Sequence, residues 1–212
     1  MSIDPFRHRV GLQSTRFVAA GPQPATEQRR RHRGSLGVLS FQPHIEDLLA
    51  TERLRPLRRV EYDRLVDQGF FDEDEKIELL EGVIVQMTPQ GLGHAASIEE
   101  LTHLLVLALA TRARVRVQLP FAASDISEPE PDLAVVPPAD PRRSHPEQAF
   151  LLIEVAESSL NKDRRVKTRI YAAAAIPEYW VVDVSGRTIE VRTDPGEDRY
   201  RQVRIAHPGE TI

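Results

Sequence analysis

The chain has 212 residues, 41% of them hydrophobic and 28% charged, with a formal net charge of −4. That length suits one sizeable domain, or one domain with an appendage, and the acidic balance excludes a protein that coats nucleic acid by bulk electrostatics. The absence of cysteine excludes a disulfide framework, a thiolate metal site and a catalytic thiol, while the lack of any long apolar run excludes a membrane span and fits a cytoplasmic protein.

Charge is unevenly placed. Residues 1–60 hold eleven arginines against five acids, whereas the remainder holds 17 basic against 27 acidic side chains. Residues 1–44 show no sustained helical or alternating period and contain GPQP and RRRHRG, so they read as a poorly ordered basic arm: a natural extension, an over-extended reading frame or an expression scar. Its cluster Arg29, Arg30, Arg31 and Arg33 reads as a solvated charge run before it reads as a phosphate contact.

Residues 45–54 and 60–68 are predicted as short amphipathic helices, the second closed by Gly69 at C′. After the acidic loop following Phe70 and Phe71, IELLEGVIVQM (77–87) reads as one strand carrying Glu78 and Glu81, with Gly82 marking a bulge or a close backbone approach. The longest predicted helix covers about 94–111, because Ile98, Leu101, Leu104, Leu105, Ala108 and Leu109 recur at three- and four-residue spacing. His94, in its first turn, reads as a capping or surface residue ahead of a catalytic one. Arg112, Arg114 and Arg116 then alternate with Ala113, Val115 and Val117, the pattern of a half-exposed strand whose arginine face is solvated or touches phosphate.

Two apolar strands follow, each with one misplaced acid: Asp132 in PDLAVV (131–136) and Glu154 in FLLIEVA (150–156). An isolated carboxylate in such a run loses solvation worth many kcal/mol unless it is neutralised or paired. A helix is predicted over 163–175, before Pro177, with Lys167 at the edge of its buried face and Arg165, Thr168 and Arg169 pointing away. YWVVDV (179–184) is another apolar strand, and 188–192 with 200–205 make a hairpin across DPGED. The order predicts a mixed α/β domain with a sheet covered on both faces.

Carboxylates meeting at strand ends suit a hard divalent cation such as Mg²⁺, and a lysine beside them suits phosphoryl chemistry. Each piece alone is weak. Pro-Asp is a common dipeptide, a strand Glu usually faces solvent, and Lys167 by itself reads as the i+4 partner of Asp163. On these apolar strands and in this order, Asp132 and Glu154 are the expected ligands, with Glu78 the natural third.

The phrases SEPEPDLAVV, AFLLIEVAESSLNKDRRVK and RIYAAAAIPEYWVVDV, with IELLEGVIVQM and the Gly-His of GLGH, resemble the Uma-two restriction endonuclease family of the PD-(D/E)xK nuclease superfamily. The resemblance covers roughly residues 57–209. It implies a restriction-endonuclease-like core over 45–212, a mixed sheet flanked by helices, that cuts DNA with Mg²⁺ or Mn²⁺. It implies Asp132 and Glu154 as metal ligands, Glu78 at the family's upstream acidic position, and Lys167 as the catalytic lysine. The superfamily pattern places that lysine two residues after the second acid, where Ala156 stands, and Lys162 competes with Lys167 for the role. A homodimer is expected by analogy. The other readings are a non-catalytic nucleic-acid-binding or assembly module that keeps the fold, and a structural protein whose acids are satisfied by their neighbours.

Overall fold

The computed structural model of the chain describes residues 51–72, 74–138 and 144–212. The expected arm over 1–44, its arginine cluster and most of the helix expected over 45–54 lie outside the described residues. From Pro56 onward the described residues belong to one compact unit, whereas 51–55 belong to a second.

Helix α1 is Arg59–Asp67; Glu61 accepts the Arg58 N–H at 2.9 Å, as in a capping box, and Gly69 (φ +65°) closes the helix at C′ as expected. The run 77–87 is not one strand but a tight antiparallel hairpin, β1 (Ile77–Leu80) and β2 (Val83–Gln86). Glu81 (φ +50°) and Gly82 (φ +82°) are its two turn residues, and two positive φ values are what a type I′ turn demands. A Cβ on Gly82 would lie 2.3 Å from Cβ of Pro56, so the expected close approach is there, at a turn rather than a bulge.

Helix α2 spans Leu92–Leu109, and Ile98, Leu105 and Leu109 are its buried stripe. Its length and composition would suffice to cross a bilayer, yet that stripe packs on the sheet. Arg112 lies outside the following strand β3 (Arg114–Val117) and instead caps α2, donating to the Ala108 carbonyl at 2.6 Å.

β3, β4 (Leu133–Val136), β5 (Leu151–Ala156), β6 (Glu178–Asp183), β7 (Thr188–Pro195) and β8 (Tyr200–Ala206) form one six-stranded sheet in chain order, antiparallel throughout except for the parallel pair β5 and β6. A parallel neighbour requires a crossover. It is helical: α3 (Leu160–Lys162), a π-helical turn (Asp163–Lys167) and α4 (Thr168–Ala173).

The period of two sorts the central strands between two cores. Leu133, Val135, Leu151, Ile153 and Val155 pack with α2 on one face. Ala134, Val136, Leu152 and Ala156 pack with Ile170 and Tyr171 of the crossover on the other, where Leu80 and Val85 of the hairpin join them. The same parity puts Glu154 on the crossover face, between Leu152 and Ala156.

Candidate active site

Leu133 lies opposite Ile153 and Ala134 opposite Leu152 in the antiparallel register, so the residue before β4, Asp132, comes opposite Glu154. Both are buried, at 6% and 4% exposure. The neighbouring acids expected from sequence are therefore adjacent.

Asp132 is held on three sides. Its Oδ2 accepts the Val155 N–H at 2.8 Å and lies 3.1 Å from Nε2 of His94, while its Oδ1 accepts the Gln118 side-chain amide at 3.2 Å. Burial pushes this carboxyl up, but the His94 hydrogen bond and charge, with the Val155 and Gln118 donors, outweigh it and hold Asp132 below the ordinary range. The hydrogen bond to Asp132 in turn raises His94.

Lys167 enters from the π turn and is 2% exposed; its Nζ lies 2.8 Å from Glu154 Oε1 and 3.0 Å from Glu78 Oε2. The Tyr171 hydroxyl donates to the same Glu154 oxygen at 2.6 Å. Both contacts fall on Oε1. Burial first, then the charges of Asp163, Asp132 and Glu78, push Glu154 up to about 8 against the pull of Lys167. The Lys167 ammonium stays charged: burial opposes it, and Glu154, Glu78 and Asp163 override that.

Glu78, fully buried on β1, has both oxygens on ammonium groups, Lys167 and also Lys162, whose Nζ lies 2.7 Å from Oε1. Burial raises this carboxyl, and the two lysines lower it further than burial raises it. The three acids expected as a metal set thus divide into a pair, Asp132 and Glu154, and a lysine anchor, Glu78. Among the described residues no three His, Cys, Asp or Glu side chains are arranged to hold a metal ion together.

Sequence reasoning ranked a capping or surface role for His94 above a catalytic one, gave Asp163 only an i+4 pairing with Lys167, and passed over Gln118 and Tyr171. His94 follows a glycine-rich turn in the first turn of α2, and helical side chains lean towards the N-terminus, which is the signal that aims it at Asp132. Asp163 is 1% exposed and raised by burial, with its Oδ2 accepting from Ser159 Oγ at 2.5 Å. Thr168, expected to point away, is buried because the π turn inserts a residue and rotates the start of α4 inward; its Oγ1 donates to the Asp163 carbonyl at 2.9 Å.

Asp132, Glu154, Asp163 and both lysines line a small cleft of about 60 Å³. Three buried acids, Asp132, Glu154 and Asp163, stand there with two ammonium groups and His94, and Glu78 holds both ammonium groups from outside the lining. The donor set is oxygen-rich, which fits a hard divalent cation bound through one or two carboxylates and otherwise by water and substrate oxygens. A larger groove of about 1100 Å³ between α2 and β3 is lined by Arg114, Arg116 and His145 and contains none of these acids.

Residues 59–212 match the family described as "Uma2: Putative restriction endonuclease". No curated protein matches the chain. Among solved structures, it is similar to that of "a putative nuclease belonging to DUF820 from Anabaena variabilis ATCC 29413", with a TM-score of 0.55 and 18% identity, covering 71% of this chain and 84% of that one. The likeness establishes a restriction-endonuclease-like fold, and the family match supports a nuclease-type function.

Proposed function

Since the chain belongs to the Uma2 family, we propose that it is a metal-dependent endonuclease that hydrolyses phosphodiester bonds in DNA with a metal-activated water. The observation that carries this reading is the buried pair Asp132 and Glu154, side by side where β4 begins beside β5, with the Lys167 ammonium 2.8 Å from Glu154. Asp132 and Glu154 are the residues that would hold Mg²⁺ or Mn²⁺. Such a cation supplies charge stabilisation at a phosphoryl oxygen and lowers the pKa of a bound water.

The chain's own groups do the positioning. His94, Gln118 and the Val155 N–H fix the Asp132 rotamer; Tyr171 and Lys167 fix Glu154. Glu78 anchors Lys167 from the other side, so that a fixed positive charge stands beside the cleft, where negative charge develops on the phosphoryl group. Lys167 thus takes the part that the superfamily pattern gives to position 156: Ala156 and Glu154 share a face of β5, and the crossover helix packs on that face.

We place the activity in one domain beginning near residue 45, in the cytoplasm, and in a homodimer, by analogy with small nuclease cores that commonly use a second subunit to cut both strands. The test is cleavage of supercoiled, linear and single-stranded DNA with and without Mg²⁺ or Mn²⁺. The wild type cuts only with the ion, and Asp132→Ala and Glu154→Ala do not cut. Equal activity, or equal inertness, of all three proteins on every form of DNA sinks the enzyme reading.

A second reading, a nucleic-acid-binding or assembly module without catalysis, is favoured by the alanine at position 156. Its sign is DNA retention that falls with salt and ignores the divalent ion.

A further inference from the structure

The site holds two lysines, and the proposed chemistry uses one. They are not equivalent. The Lys167 side chain is 2% exposed and touches two buried acids, so it cannot move without leaving Glu154 with no cation and Glu78 with one fewer. The Lys162 side chain is 24% exposed, lines the cleft with Asp132 and Glu154, and among the described residues has its ion pair with Glu78 alone.

Glu78 does not depend on that pair. With Lys162 gone, its Oε2 would still accept from Lys167 at 3.0 Å and from the Glu130 N–H at 3.3 Å. A lysine is a strongly hydrated point charge on a flexible stem, suited to following a phosphate oxygen. Its neighbour Arg164 is tied to Glu190 at 2.6 Å and Asp183 at 3.4 Å. A phosphodiester entering a cleft lined by Glu130, Asp132, Glu154 and Asp163 meets the ionised Asp132 among other acids, and a cation at the rim offsets that repulsion.

We infer that Lys162 binds a non-bridging phosphate oxygen of the substrate strand, and that Glu78 holds its ammonium at the cleft rim until the strand arrives. This role rests on the nuclease reading and adds a substrate contact to it: Lys162 binds, whereas Lys167 serves the chemistry. The pairing also gives Glu78 a second task, since it fixes one lysine permanently and lends the other.

The test compares wild type with Lys162→Ala, Lys162→Met and Lys162→Arg. It follows steady-state cleavage of a short duplex with Mn²⁺, duplex binding across a salt series without divalent ion, and the thermal midpoint. Lys162→Ala and Lys162→Met raise KM about tenfold with kcat within about twofold of wild type, as expected for one lost charge-assisted contact. Both lower the salt slope of binding by about one, the amount for one phosphate contact. Lys162→Arg restores both readouts and melts with wild type. The Met variant keeps the apolar stem, so a defect confined to Lys162→Ala marks lost packing and overturns the role. Unchanged KM and slope in variants of a wild type that cuts overturn it while the nuclease reading stands, and so does a fall in kcat alone. A wild type that neither binds nor cuts DNA overturns both.

Discussion

Lys167 is the residue on which the two buried acids depend. Its removal leaves Glu78 and Glu154 without their shared cation, so Lys167→Ala should cost about 3–5 kcal/mol of stability in chemical denaturation. Neutralising Glu154 acts differently. Its folded-state value of about 8 lies above that of a carboxyl in the unfolded chain, so the native state holds this proton more tightly. The stability it contributes is complete below the ordinary carboxylate range and is lost as pH rises towards 8. Glu154→Gln should therefore gain on wild type between pH 5 and 8 in urea titrations, and parallel profiles would mean that Glu154 is ionised throughout. The same proton competes with a cation, so apparent affinity for Mn²⁺ should rise across this window, by up to about tenfold per pH unit. Asp132, held low, runs the other way: its contribution is present above its unfolded value and is lost only in acid.

At the scale of elements, the hairpin and the crossover place the site. Gly82 combines a positive φ with a contact that any Cβ would violate against Pro56, so Gly82→Ala should destabilise by about 1–3 kcal/mol and, by loosening β1, reduce whatever activity Glu78 supports. The π turn leaves the Asp163 carbonyl to accept from the Thr168 N–H, the Thr168 hydroxyl and the Tyr179 hydroxyl. Thr168→Val keeps the shape, removes one donor and should cost about 1 kcal/mol by thermal melting. These two elements are also where sequence reading stopped. IELLEGVIVQM is apolar on both sides of Glu81 and Gly82, so periodicity alone cannot separate one strand from two. A wheel drawn at 100° per residue cannot register the inserted residue that brings Asp163, Lys167 and Thr168 inward together. Asp132 and Glu154 were legible because an acid in an apolar strand is an energetic anomaly wherever the strand lies. Lys167 was legible through family resemblance, and His94 was not, because its role depends on Gln118 and Asp132 converging from a strand end 24 and 38 residues later.

For the whole molecule, one sheet with an apolar layer on each face does the work of assembly. The hairpin closes over the crossover layer with Glu78, and α2 closes the other layer with His94, so Asp132, Glu154 and the two crossover lysines meet at one cleft. The pairing there of a carboxyl held low, Asp132, with one that burial raises, Glu154, is the feature that the account turns on. Calorimetric titration of wild type and Glu154→Gln with Mn²⁺ tests it most directly. The account predicts saturable binding by the wild type at pH 8 that weakens towards pH 6 and is lost in Glu154→Gln. Binding of equal strength in both proteins, or none in either while both remain folded, would contradict it.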